Sequence, residues 1–427
     1  MSGLLTRGHP AAVAAIAAMI AGPTPHALLI AGPQGVGKTT LALDLAAGLM
    51  CDAPDPADRP CRACRGCRLV ESGGHADLHW LAPGGAGDQI RIGLRSEPEP
   101  GTIRRLVSEL ALLPVEGGAR VALIERAERL NEDAQSALLK TLEEPPPGVA
   151  IILCVEREDQ LLPTVRSRCV RLRLGPVGTR DIEAILADQG VADASTAGRF
   201  ARLSGGRPGL ARAWALAPEA VTARAEIVRS IVDLLKAAPA RRLAAIRELI
   251  ARAADVERAL SRVNGVTPTA PITTGGRRPR RATAPAATSP TTAATAGSGD
   301  PAGTGEAATP ADGPATTDYA ATADEETDEA RDTRAPASER RRAATTLVSI
   351  WRDVARDLAV AGLGDERLVR DAGLLDELRA AAGIPPAEMG AFLERLDRSG
   401  ELIEANASPE LVLDVLVLSW PRLPVAA

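Results

Sequence analysis

The residues Gly32-Pro33-Gln34-Gly35-Val36-Gly37-Lys38-Thr39 have the spacing of a complete phosphate-binding loop. In such a loop backbone N–H groups wrap phosphate oxygens, the lysine adds positive charge, and the hydroxyl can ligate Mg²⁺. Gly32, Gly35, Val36, Gly37, Lys38, Thr39 and Thr40 are the candidate contacts for ATP with Mg²⁺. The competing reading is a retired loop that keeps its shape without binding. The hydrolytic half of the site does not match. The next apolar strand ends Val121-Ala122-Leu123-Ile124-Glu125-Arg126, where a working site places an acid for the metal and often a second for water. Glu125 is one methylene longer than Asp but still able to reach a metal. Arg126 has no acceptor and cannot take a proton. Glu128 would need a different local geometry to stand in. These residues predict nucleotide binding with little hydrolysis.

A second constellation is Cys51-x9-Cys61-x2-Cys64-x2-Cys67. Four thiolates at this spacing suit tetrahedral Zn²⁺, and a fully thiolate-ligated metal leaves no open position, so its role would be structural. Arg62, Arg65 and Arg68 lie between and beside the ligands and offset their negative charge. A redox or iron–sulfur role obeys the same ligand logic and stays open. Cys154 and Cys169 fall in or beside apolar strands and read as small core residues.

These groups need a scaffold. Ala27–Ala31 is a short apolar strand leading into the glycine loop, and Thr39–Met50 continues it as a helix, the context the loop requires. Ala11–Ala21 and Thr102–Leu113 read as helices, the latter from Ile103, Leu106, Val107 and Leu110. Asn131 is placed to cap a helix running to Glu143, and the prolines at 145–147 end it. Val121–Ile124, Ala150–Val155 and Val170–Leu174 are further strands. Strands alternating with helices predict an α/β domain over 1–176, a mostly parallel sheet with helices on both faces. Beyond Pro176 the strand signals stop. Thr179–Gln189, Ala194–Leu203 and Gly209–Leu216 predict a small helical domain over 177–220, and 221–263 with 340–427 a separate helical bundle.

The chain has 427 residues, enough for two or three domains. Aromatics make up 2% of it, so aliphatic side chains must fill the cores. The net charge of −5 gives no global case for nucleic acid as the dominant ligand. No apolar run is long enough to span a membrane, no signal segment is evident, and the chain reads as cytoplasmic. Residues 264–339 are rich in Ala, Thr, Pro and Gly, with Val266, Ile272 and Tyr319 as their larger apolar side chains. That composition predicts a disordered insertion; a regulatory or DNA-touching role is the alternative.

The loop, the four-cysteine run, Ala137-Leu138-Leu139-Lys140-Thr141-Leu142-Glu143-Glu144-Pro145-Pro146 and Leu161-Leu162-Pro163-Thr164-Val165-Arg166-Ser167-Arg168-Cys169 together resemble bacterial clamp-loader subunits of the AAA+ class. Ser204-Gly205-Gly206-Arg207-Pro208-Gly209 extends the resemblance into the small helical domain, and Trp351-Arg352-Asp353 extends it weakly into the bundle. The resemblance implies an AAA+ P-loop domain with a zinc-binding insertion at 51–67, a helical lid and an all-α collar. It implies DNA replication as part of the DNA polymerase III holoenzyme. The implied partners are the gamma/tau and delta loader subunits, the sliding clamp, and primed DNA met through the assembled ring. No polymerase chemistry of its own is implied. Arg168 would be an arginine finger acting in trans on a neighbour's ATP; pairing with a carboxylate of its own domain is the bland reading. No residue would be catalytic in cis. Two departures favour the family's stator over its gamma/tau-type motor. Pro208 stands where a lid arginine is expected, with Arg207 one residue early. Val155-Glu156-Arg157-Glu158 stands where motors carry Thr or Asn. A repair AAA+ ATPase is the remoter alternative.

Overall fold

The computed structural model describes residues 3–84, 88–96, 99–116, 118–264, 336–381 and 383–423. Its sheet is built from β1 (Ala27–Ala31), β2 (Leu78–Leu81), β3 (Arg120–Ile124), β4 (Val149–Val155) and β5 (Val170–Arg173), in the order β2-β3-β4-β1-β5. All four pairings are parallel. β1, β3 and β4 are buried at every position, as expected of central strands covered on both faces. Successive side chains point to opposite faces. Leu28 and Ile30 enter the core shared with α1 (Pro10–Ala21) and α2 (Lys38–Leu49). Leu29 and Ala31 enter the one shared with α4 (Ile103–Leu110) and α5 (Glu132–Glu143). The two-faced α/β fold is therefore as the sequence predicts.

The parallel arrangement brings the C-terminal ends of β1, β3 and β4 to one edge. The glycine loop follows β1, Glu125 follows β3 and Glu156 follows β4. Because β4 lies between β3 and β1, Glu156 falls between the loop and Glu125 along that edge. The amide of Gly32 donates to Val155 O at 3.1 Å, which ties the loop's first residue to the end of β4.

Two elements of this domain escape the sequence reading. β2 is four residues long and carries His79 in a buried position, while α3 (Arg65–Glu71) lies inside the cysteine run. The helix predicted to reach Leu113 ends at Leu110. Leu112 and Leu113 beyond it are 64% and 87% exposed, so no core contact prolongs the helix, and Pro114 follows. α6 (Pro163–Arg166) is a single turn before β5.

The helical continuation begins with α7 (Thr179–Asp188), α8 (Ala194–Leu203) and α9 (Pro208–Leu216), close to their predicted spans. Then come α10 (Pro218–Asp233), α11 (Pro239–Asn264), α12 (Ala337–Gly362), α13 (Leu375–Ala380), α14 (Pro386–Glu404) and α15 (Pro409–Leu418). α10 starts inside the segment assigned to the lid. The boundaries of the predicted insertion also need correction. Asn264 closes α11, and residues 337–339 open α12, where Arg258 lies 3.8 Å from Glu339. The rest of that span, 265–335, and residues 424–427 lie outside the described residues.

Few aromatics does not mean none in the core. Trp351, Phe392 and Trp420 meet in the bundle with centroids 4.6–5.9 Å apart, and Trp420 Nε1 donates to Ile231 O at 3.0 Å. A buried ion network lies beside them. Arg224 of α10 pairs with Asp371 at 2.6 Å and approaches Asp353 of α12 at 3.6 Å, while Arg370 pairs with Asp353 at 2.9 Å.

Candidate functional site

Gly37 sits at φ 109 as the residue before α2, and Gly35 at φ 76. Both conformations favour glycine, and they aim the first N–H groups of α2 at the loop's concavity. Lys38 is 9% exposed; its Nζ donates to Gly32 O at 2.7 Å and Pro33 O at 2.9 Å. Burial lowers its pKa, against the opposing fields of Glu156, Cys154, Glu128 and Glu125. Thr39 Oγ1 donates to Glu125 Oε1 at 2.6 Å. The two groups expected to share Mg²⁺ are thus already together. Val36 is buried and its carbonyl lies 3.0 Å from His9 Nε2. Thr40 is on the exposed side of α2.

Arg126 adopts left-handed geometry at φ 49, ψ 50, and its guanidinium turns to Asp88 at 2.9 Å. The 3-10 turn Ala127–Arg129 then brings Glu128 back to the strand ends. There Glu128 Oε2 accepts from the Glu156 amide at 3.3 Å. Burial, with the nearby charge of Glu156, raises the pKa of Glu128. The turn thus returns Glu128 to the ends of β3 and β4, in the field of Lys38, while Arg126 faces Asp88. On its outer side Glu128 borders a cleft of about 400 Å³ shared with Arg157, Gln160, Glu401 and Glu404.

The lid touches the loop directly. Gly209 N, in the first turn of α9, donates to Gly35 O at 2.9 Å. A side chain at Gly209 would meet Gly35 backbone atoms at 3.2–3.3 Å. Arg207 precedes this helix, and its Nε donates to Ser204 O at 2.8 Å. Burial lowers its pKa, opposed by the field of Asp353 in the bundle.

Arg168 is partly exposed, its side chain 34% accessible, and it donates to Glu143 Oε1 and to Thr164 O. The bland partner weighed in the sequence is thus present: a carboxylate of the domain's own α5. Exposure leaves the guanidinium within reach of another surface.

Cys51, Cys61, Cys64 and Cys67 converge, with all four sulfurs within 4.8 Å of one another. Cys64 Sγ and Cys51 Sγ are 4.0 Å apart, against the roughly 3.8 Å edge of a tetrahedron with ~2.3 Å Zn–S bonds. The amides of Cys61, Cys64 and Cys67 point at the sulfurs of Cys51, Cys61 and Cys64 at 3.3–3.4 Å. N–H donors at this range favour thiolates, and those from Ala63 and Cys64 help pull Cys61 down to about 6. Burial pushes Cys51 and Cys67 up. The donor set fits a four-thiolate metal.

The sequence reading missed how this module is fastened. Arg62 reaches out of the cysteine run to buried Asp44 on α2, and its Nε donates to Gly3 O at 2.7 Å. Asp44 also accepts from Leu5 N, Thr6 N and the Thr6 hydroxyl. The signal available in the sequence was an acid inside an otherwise apolar helix, Leu43-Asp44-Leu45. Asp77 is a similar anchor, paired with Arg120 at 3.0 Å while accepting from Val115 N at 2.8 Å and Glu116 N at 3.0 Å.

Residues 9–178 match the family model described as DNA polymerase III, delta subunit. DNA polymerase III subunit delta' of Pseudomonas aeruginosa is 39% identical over 146 residues, 34% of this chain and 42% of the relative. Its Escherichia coli counterpart is 34% identical over 198 residues, 46% of this chain and 57% of the relative. Escherichia coli subunit tau is 34% identical over 171 residues, 39% of this chain and 25% of the relative. A Thermotoga maritima DNA polymerase III gamma subunit-related protein aligns over 95% of this chain and 97% of its own at 14% identity and a TM-score of 0.38, too loose a likeness to carry an argument. The matches thus span 25–57% of these relatives' lengths. Over those stretches the chain is similar to DNA polymerase III delta', tau and gamma subunits.

Proposed function

We propose that the chain is a clamp-loader subunit of the delta-prime, or stator, kind. It holds ATP with Mg²⁺ at the Lys38 loop, hydrolyses it poorly, and offers Arg168 to the nucleotide of a neighbouring motor subunit. Its partners on this reading are gamma/tau and delta subunits, the sliding clamp, and primed DNA engaged by the ring. The four cysteines hold a structural Zn²⁺. Support for the family comes from the delta' relatives. Support for weak hydrolysis comes chiefly from one observation: Arg126 follows Glu125 and turns away to Asp88. No Asp-Glu pair closes β3, and water activation of that kind is often worth ~10²-fold or more.

The gamma/tau-type motor is the second reading, favoured by the tau relatives and by the Thr39–Glu125 contact. Steady-state turnover by the isolated, repurified chain separates the two. The stator reading expects negligible phosphate release. Robust turnover that follows the protein through repurification and is lost in Lys38→Ala contradicts it.

A further inference from the structure

The cysteine module and the phosphate loop lie at the two ends of one run of contacts. Arg62 stands between the ligand positions Cys61 and Cys64, in left-handed geometry at φ 58, a conformation uncommon for a residue with a side chain. Closing the cluster around Cys61 and Cys64 fixes the backbone on both sides of it. Its guanidinium then spans two elements, pairing with Asp44 in the middle of α2 while Nε donates to Gly3 O at 2.7 Å. Asp44 is 0% exposed and also accepts from Leu5 N at 3.0 Å, Thr6 N at 2.9 Å and the Thr6 hydroxyl at 2.6 Å. Arg62 and Asp44 together therefore hold residues 3–6.

The same segment ends on the loop. Gly8, at φ 77, packs on Val177 where a side chain would clash. His9 is buried, and its Nε2 lies 3.0 Å from Val36 O. A carbonyl can only accept, so this nitrogen carries the proton. Val36 O and the Gly37 N–H belong to one planar trans peptide and point in opposite directions. Holding the carbonyl therefore sets the direction of the Gly37 N–H, one of the amides such a loop offers to phosphate.

We infer that Arg62 and His9 are positioning residues through which the cysteine module sets the phosphate loop, so that metal at the cysteines and nucleotide in the loop strengthen each other's binding. This rests on the proposed nucleotide and zinc sites. With the cluster open, Arg62 is no longer fixed on both sides, and residues 3–9 lose the clasp that carries His9 to Val36. Ordering them then falls to the nucleotide and weakens its binding. A coupling of this kind is reciprocal.

The test uses the full chain with Mg²⁺. It measures the dissociation constant of a fluorescent, non-hydrolysable ATP analogue, and the zinc affinity by competition with a zinc-selective chelator, with and without that analogue. In the parent the analogue is expected to raise zinc affinity about fivefold. Arg62→Ala and His9→Ala, with their zinc content confirmed, are expected to bind the analogue about fivefold or more weakly. In both, the analogue should change zinc affinity by less than about twofold. A merely structural role for Arg62 would lower the melting temperature and leave this reciprocity in place. His9 lies outside the cysteine run, so His9→Ala decides the matter where Arg62→Ala does not fold. Parent zinc affinity indifferent to the analogue, or variants that keep the parent's affinity for it, overturn the relay while both sites stand. Analogue bound by no chain, with Lys38→Ala indistinguishable from the parent, overturns the nucleotide site and the relay together. A parent that takes up no zinc overturns the cysteine site and the relay.

Discussion

Arg168 and Asp77 both form ion pairs, but their settings give opposite expectations. The Arg168–Glu143 pair is partly exposed on both sides, and such pairs contribute ~0–1 kcal/mol. Arg168→Ala should therefore lower stability by less than about 1 kcal/mol in denaturant titration; a larger loss would make the arginine a structural strut. Asp77 and Arg120 are 0% and 2% exposed. Removing one partner strands the other, so Asp77→Asn should cost roughly 3 kcal/mol or more. Burial alone would raise the pKa of Asp77, but the amides of Glu116 and Val115 and the Arg120 guanidinium outweigh it and hold it below the usual value. The sign follows for a depressed carboxylate. Its stabilisation is complete above the unfolded-state pKa of ~3.9 and is lost as pH falls through the lower folded value. Acid titration should show this loss below about pH 4 in the parent and not in Asp77→Asn. At this scale the loop, Glu125 and the cysteines were legible because their chemistry is written in local spacing. Asp44, Asp77 and the turned-back Glu128 were not, because their partners are distant in sequence or set by one left-handed residue.

Elements behaved as their apolar patterns dictate. β1 and β4 are unbroken apolar runs, β3 is one from Val121 onward, and all three could be read directly. β2 could not: Leu78-His79-Trp80-Leu81 is short, and its buried histidine has Glu109 of α4 3.0 Å from Nδ1. The cysteine module is the element with the clearest experimental handle. Its four cysteines would be tied together by one metal beside the core that Cys51, Cys67 and Val70 join. One Zn²⁺ per chain is expected by elemental analysis, with a fall in melting temperature on chelation and loss of the metal in Cys64→Ser. Metal that stays substoichiometric after refolding with zinc would count against the module as a zinc site.

For the molecule as a whole, α11 and α12 flank residues 265–335 and meet near their junctions through Arg258–Glu339 and Arg342–Glu257, each at 3.8 Å. Replacing 265–335 by a short flexible linker should leave the melting temperature within about 2 °C of the parent, since the buried bundle contacts are untouched. A large drop would show that the excised segment supports the bundle. The sequence conveyed that this region was helical. It did not convey the Arg224–Asp371 pair, 147 residues apart, or the lid's contact with the loop through Gly209 and Gly35. Such pairings belong to the packed chain and leave no periodic trace.

On the proposed function, this chain serves a neighbour's ATP rather than turning over its own. The most direct measurement is the DNA-stimulated ATPase rate of a ring assembled with loader subunits from the same source, comparing Arg168→Ala with Lys38→Ala. A stator should show collapse of the rate with Arg168→Ala and little change with Lys38→Ala. Collapse with Lys38→Ala and indifference to Arg168→Ala would contradict it and make this site a working motor.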